Sequence, residues 1–271
     1  VSAISLSYSD LAIASSLVLI NIAISRSFSL GLERQMLVGA VRMVVQLLLV
    51  GLVLKTLFES TSPGLTLLVI LVMIGAASHE VSARQDRRFA GWFQQGIGTA
   101  PMALATTLVA LLALTTRIRP DPWYDPRYAV PLVGIILGNV MSGVSLCLSG
   151  FLGAVSRDRV AIESRLALGT DRFVALGPFL RRSLRAALIP IFNQMAAAGL
   201  ITLPGMMTGQ ILAGMPPTEA VKYQILILFL LAGGTGLAVL IVAYMSALRI
   251  TDGRHRLRLD RLEAKPAAER R

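Results

Sequence analysis

Apolar residues run along this chain in blocks longer than soluble domains use for their helices or strands. Residues 89–116, 128–156 and 186–218 contain no charged side chain, and each block exceeds the roughly 20 apolar residues that a membrane-spanning helix needs. Windows taken in order predict about seven spans: Ser9 to Ser25, Met36 to Phe58, Pro63 to Ser78, Gly96 to Thr115, Tyr128 to Leu152, Ala186 to Leu203 and Gln224 to Leu248. The apolar run of the first, Leu11 to Ile24, follows Asp10 with no Lys or Arg before it, the wrong sign for a secretory leader, so it reads as a span. The block after Arg185 is too long for one untilted helix, and Pro204-Gly205 interrupts it. Two readings stay open there. One is a broken sixth segment, a helix to about Leu203 and a short piece from Met206 to Ala213, whose free backbone groups need a place away from lipid. The other is a helix end followed by an outer amphipathic loop turning at Gly209 and Gly214.

The pattern therefore predicts an all-α polytopic membrane protein, with a transmembrane domain over residues 1–248, a long connection at 156–185 and a basic tail at 249–271 that is partly disordered. Composition agrees: of 271 residues 55% are hydrophobic and 15% charged, with a mean hydropathy of +0.69, which excludes most soluble classes. A net charge of +11 would suit nucleic acid, but the 26 Lys and Arg cluster in short segments between the apolar blocks. Such placement reports orientation, because Lys and Arg beside a span are kept on the cytoplasmic side. With the N-terminus outside, 20 of the 26 fall inside and five outside, and Arg42 lies within a span. The expectation is an inner, cell-membrane protein with a cytoplasmic C-terminus and no nucleic-acid partner. One Cys and two His exclude an internal disulfide and a Cys/His metal cage.

Candidate chemistry is sparse. The three lysines follow Leu54, Val221 and Ala264, so the Gly-Lys-Ser/Thr of a P-loop is missing, and any ATP chemistry belongs to another chain. Within 156–185, residues 157–168 mix charge with good helix formers, and Gly169 stops the helix. Its apolar residues Val160, Ala161, Leu166, Ala167 and Leu168 suit a docking element and equally a helix lying on lipid. Arg42 and Gln46 share a helix face. A charge at membrane depth needs a partner or a wet cavity, so this pair is either part of a translocation path or a hydrogen-bonding, snorkelling pair that fixes helix packing. Asn139 and Asn193 read as polar contacts between helices or as path-lining groups. His79 and Glu80, with Arg84 one turn on, read as a charge-paired helix end.

Glu163-Ser164-Arg165-Leu166-Ala167-Leu168-Gly169 resembles the coupling helix of ABC-transporter permeases, in which a Glu is followed six residues later by a Gly. More closely, Leu166 to Gly169, Ile189-Pro190, Asn193, the run Leu203-Pro204-Gly205-Met206-Met207-Thr208-Gly209-Gln210-Ile211-Leu212-Ala213-Gly214, and Lys222-Tyr223-Gln224 are similar to the FetB-type iron-export permease family, which has plant relatives tied to aluminium tolerance. The likeness extends to Pro131-Leu132, Gly138-Asn139, and Arg42 with Val45-Gln46-Leu47. The chain lacks an Ile-x-Leu-Pro about ten residues after Gly169, unlike ordinary importer permeases. The resemblance implies a homodimeric permease subunit of an ATP-driven exporter of iron or another metal ion, no cofactor in this chain, and ATP and magnesium on a separate ABC ATPase. Coupling would fall to Glu163, Leu166, Ala167 and Gly169. A translocation path would fall to Arg42, Gln46, Asn139, Asn193, Pro204, Gly205, Met206, Met207, Thr208 and Gln210. The alternative is a secondary transporter or channel for a small ion or solute; a membrane scaffold or receptor is a third class. No cluster of ligands lies at membrane depth, so the metal site stays unknown and the expected cargo is partly hydrated or chelated.

Overall fold

The computed structural model describes residues 7–60, 62–91, 93–118 and 120–264. Arg119 and the tail beyond 264, both part of the charge reading, lie outside the described residues. Those residues form nine α-helices: α1 (Tyr8–Ser27), α2 (Glu33–Ser60), α3 (Pro63–Ala83), α4 (Phe93–Ala113), α5 (Pro126–Arg157), α6 (Arg159–Ala167), α7 (Arg172–Ala197), α8 (Gly205–Leu212) and α9 (Pro217–Ile250). Two short strands, β1 (Arg87–Phe89) and β2 (Leu262–Ala264), complete the fold. Six of the helices, α1 to α5 and α9, are long and apolar enough to cross a membrane.

The predicted sixth span, Ala186 to Leu203, is replaced by α7, which begins fourteen residues earlier and ends at Ala197. Hydropathy misses its first half because Arg181, Arg182 and Arg185 sit on an exposed stripe, opposite the buried Leu176, Ser183, Ala187 and Ile191. Arginine is a good helix former, so charge ends the apolar window without ending the helix. Of the connection expected over 156–185, residues 158–171, with α6 among them, join α5 to α7, and the remainder is the first half of α7. The break after α7 is present: Gly199 takes a φ of +85°, the chain turns, and α8 follows one residue earlier than predicted.

α5 is the centre, packed by α3, α4, α7 and α9. Its buried positions Ala129, Val133, Ile136, Val140, Val144, Cys147, Phe151 and Val155 recur at the three-and-four spacing of a helix interface. Lipid offers no hydrophobic penalty to separated helices, so close approach must come from small residues and fitted surfaces. Gly143 meets that need: a Cβ there would lie 2.6 Å from Thr235 Cγ2 of α9 and 3.7 Å from the Ala187 carbonyl of α7.

α1 packs on α2, and α2 touches the bundle near its two ends. Leu57 is buried and the Phe58 carbonyl accepts from Arg127 Nη2 at 3.5 Å, while Arg42 reaches α3. Every residue from 41 to 53 is exposed.

The expectation of a partly disordered tail fails for residues 251–264. Thr251 bridges to Leu257, and β2 pairs antiparallel with β1, with Arg87 opposite Ala264, Arg88 opposite Glu263 and Phe89 opposite Leu262. Leu257, Leu259 and Leu262 pack against the core. The arginine-rich segments after α3, after α6 and after α9 therefore share one end of the bundle.

Candidate functional site

At that arginine-rich end, α6 joins α5 to α7 as a separate nine-residue helix. Ile162 is fully buried and anchors it. Its far side is open: Val160 is 75% exposed and Leu168 86%. Glu163 Oε1 accepts from Arg159 Nε at 2.9 Å on the same surface, and that exposed i, i+4 pair leaves both charges available. Gly169 ends the helix as its sequence predicts. At φ +83° it lets its own N–H reach the Leu166 carbonyl at 3.0 Å and the Thr170 N–H reach the Arg165 carbonyl at 3.2 Å, the Schellman closure that a left-handed residue permits. Asp171 then starts α7, its carboxylate accepting from the Phe173 N–H at 2.8 Å.

Arg42 has the partner its depth demands. Its Nη2 donates to Glu80 Oε2 at 2.9 Å, and Arg84 Nε donates to the other oxygen at 3.2 Å. The carboxylate at the end of α3 is thus shared between Arg42 of α2 and Arg84 just past the end of α3. Gln46, one turn on, is exposed. Asn139 Nδ2 donates to the Ile135 carbonyl of its own helix at 3.0 Å, so it holds its own turn rather than a neighbour. Asn193 lies on the exposed side of α7. Pro204 to Gln210 form the start of α8, where Thr208 Oγ1 donates back to the Pro204 carbonyl at 3.2 Å and the buried Gln210 Oε1 has no partner among the described residues. Met206 is exposed and Met207 half-buried.

These polar groups do not converge inside one chain. An apolar cavity of about 310 Å³ lies between α3, α4 and the start of α5, beside Trp123 and Tyr124, and none of them lines it. A smaller one is lined by Gln85, Arg88 and Phe89. Among the described residues no group of three or more His, Cys, Asp or Glu side chains is placed to hold a metal ion.

Three features escaped sequence reading. Glu80 is the partner of Arg42, although the two lie 38 positions apart. Gln85, buried, donates Nε2 to the Ser145 carbonyl at 3.2 Å, tying the α3–α4 connection to α5; a lone Gln outside a span gives no signal. The tail carried one, the alternation Arg256-Leu257-Arg258-Leu259 and Arg261-Leu262, since period two is the mark of a one-sided extended segment.

Comparison with known proteins fits this architecture. Residues 8–250 match the model of the uncharacterised protein family UPF0014. A UPF0014 membrane protein of Synechocystis sp. is 38% identical over 215 residues, 78% of this chain and 80% of the relative. The Escherichia coli protein named "Probable iron export permease protein FetB" is 34% identical over 256 residues, 94% of this chain and 96% of that one. The Arabidopsis thaliana protein ALUMINUM SENSITIVE 3 is 27% identical over 228 residues, covering 84% of this chain and 81% of its own. No solved structure matches. With the family model spanning nearly the whole chain, and six apolar helices of spanning length, this protein belongs to the UPF0014 family of multi-pass membrane proteins.

Proposed function

We propose that the chain is the permease subunit of an ATP-driven exporter that moves iron or a related metal ion, free or chelated, out of the cytoplasm. Two copies would pair with two copies of a separate P-loop ATPase that binds ATP and magnesium. The observation that carries this reading is α6: a short helix between two bundle helices, held by Ile162 and presenting Val160, Glu163 and Leu168 outward at the arginine-rich end. The concentration of positive charge supports a cytoplasmic position for that end, where an ATPase could receive it. Closure of the ATPases would push α6 and, through the short turn at 168–171, tilt α7 against α5. Val140 and Val144 of α5 and Val239 of α9 are fully buried, so the α5–α9 contact at the bundle centre is filled, whereas Gln46 and Asn193 are exposed. That arrangement supports a path between two copies, lined by the exposed side of α7 and by α8, with an alternating-access cycle opening it to each side in turn.

The reading is tested with the permease–ATPase complex in lipid vesicles, by ATP hydrolysis in the presence of ferrous iron or of ferric citrate. We expect one form to stimulate hydrolysis several-fold and Asn193→Leu to blunt that stimulation. Stimulation by neither form, or stimulation indifferent to Asn193, contradicts the metal path.

A further inference from the structure

The tail ends of membrane proteins are often solvated, but this one is fastened at three places. Its hairpin begins where α9 stops: the Arg258 N–H donates to the Ile250 carbonyl at 2.8 Å, and Arg261 Nη1 donates to the Arg249 carbonyl at 2.7 Å, so the tail satisfies carbonyls that the helix end leaves open. Its far end is β2, laid on β1 of the α3–α4 connection, with the Ala90 N–H donating to the Arg261 carbonyl at 2.8 Å. β1 is in turn held close to α5 through Gln85 and Ser145.

The third fastening is at the turn of the hairpin. Asp252 accepts from the backbone N–H of Arg254 at 3.0 Å and of Arg256 at 2.9 Å, and the loop closes with His255 at φ +56°. A left-handed position is adopted most readily by Gly and, among other residues, by Asn, Asp and His, and at this one the side chain makes a specific contact. Here the imidazole Nδ1 accepts from the N–H of Arg172 at 3.2 Å. Arg172 is the first residue of α7, whose opening N–H groups have no partners within the helix. Asp171 satisfies one such group from inside the α6–α7 turn, and His255 satisfies another from the tail.

From these contacts we propose that His255 is a positioning residue of the coupling apparatus, and that residues 251–264 are a strut linking the turn behind α6 to the ends of α9, α3 and α4. This rests on the ATPase-coupled reading above. Displacement of α6 then reaches α7 directly and reaches α3 and α4 through the strut, so that the bundle moves as one body rather than bending at α7 alone.

The test uses the full permease–ATPase complex in vesicles, with iron moved and ATP hydrolysed measured on the same sample. His255→Leu removes the acceptor, His255→Asn keeps one at the δ position, and Glu263→Pro breaks the strand at the opposite end of the strut. We expect His255→Leu and Glu263→Pro each to lower iron moved per ATP at least three-fold while complex yield and hydrolysis rate stay near those of the unsubstituted chain. His255→Asn should recover most of the ratio. An unchanged ratio in His255→Leu or in Glu263→Pro overturns the strut, as does a His255→Asn chain that is as impaired as His255→Leu. If the unsubstituted chain forms no complex with an ATPase, the coupling reading fails first and the strut with it; a complex that transports normally with both breaks in place leaves that reading standing and removes the strut alone.

Discussion

At the scale of single residues, the charge of Arg42 within α2 is held by a neighbouring helix rather than left to lipid. Arg42 pays for its depth by sharing Glu80 with Arg84. Because Arg42 lies within a span and joins α2 to α3, the pair contributes on the order of 0.5–2 kcal/mol, the range of polar contacts between membrane helices. A double-mutant cycle of Arg42→Leu and Glu80→Gln, followed by thermal unfolding in detergent, should give a coupling energy in that range, and strict additivity of the two single effects would show that the contact contributes nothing. Outside the membrane, Asp252 is held at about 2 by the Arg256 backbone N–H, the Arg256 guanidinium and the Arg254 N–H. A carboxylate whose folded value is lowered stabilises the fold above its ordinary value near 3.8, and that contribution fades as pH falls toward the lowered one. A spin label at Glu263→Cys should therefore stay immobile from neutral pH down to about 4 and loosen between 4 and 2. In an Asp252→Asn chain the label should already be loose at pH 7; equal mobility in both chains would mean that Asp252 does not hold the hairpin.

Elements in the bundle are fitted through a few small residues, and the structure separates glycines that are needed from glycines that are tolerated. At Gly143 a methyl group would collide with Thr235 of α9, whereas at Gly138 nothing lies within 4 Å. Gly143→Ala should destabilise the protein by roughly 1–3 kcal/mol through overpacking. Gly138→Ala should be neutral or stabilise by up to about 1 kcal/mol, since alanine is the better helix former. Unfolding midpoints in one detergent decide the matter, and equal effects at both sites would contradict the packing described. Gly169 is needed for its backbone alone: it has open space but a φ of +83°, so Gly169→Leu should cost the end of α6 roughly 1–2 kcal/mol and alter its presentation without touching the core. Which of these features the sequence discloses follows from range. Gly169 and the start of α8 after Pro204 are local signals, and both were legible, whereas α7 ends at Ala197, six residues before the predicted Leu203. The start of α7 was not legible, because a window average falls at Arg181, Arg182 and Arg185 whether or not the helix continues. The partnership of Arg42 with Glu80, and of β1 with β2, depends on distant segments meeting, which no local pattern encodes.

The whole molecule combines a filled bundle, a loosely attached α1–α2 pair, and an arginine-rich end where α6, the tail hairpin and the α3–α4 connection meet. Of the candidate site, Glu163 to Ala167 lie on α6 with Gly169 just past its end, while Gln46, Asn139 and Asn193 are spread over α2, α5 and α7 and line neither cavity. On the proposed function, ATP hydrolysed on a partner drives iron outward through this chain by way of α6. Inside-out vesicles carrying the permease with its ATPase measure this directly, as ATP-dependent accumulation of radioactive iron with any proton gradient collapsed. We expect accumulation by the unsubstituted chain and loss of at least nine-tenths of it in both Glu163→Arg and Gly169→Leu, with the permease still inserted at normal levels. Accumulation that needs no ATPase, that vanishes with the proton gradient, or that survives both substitutions would contradict that reading.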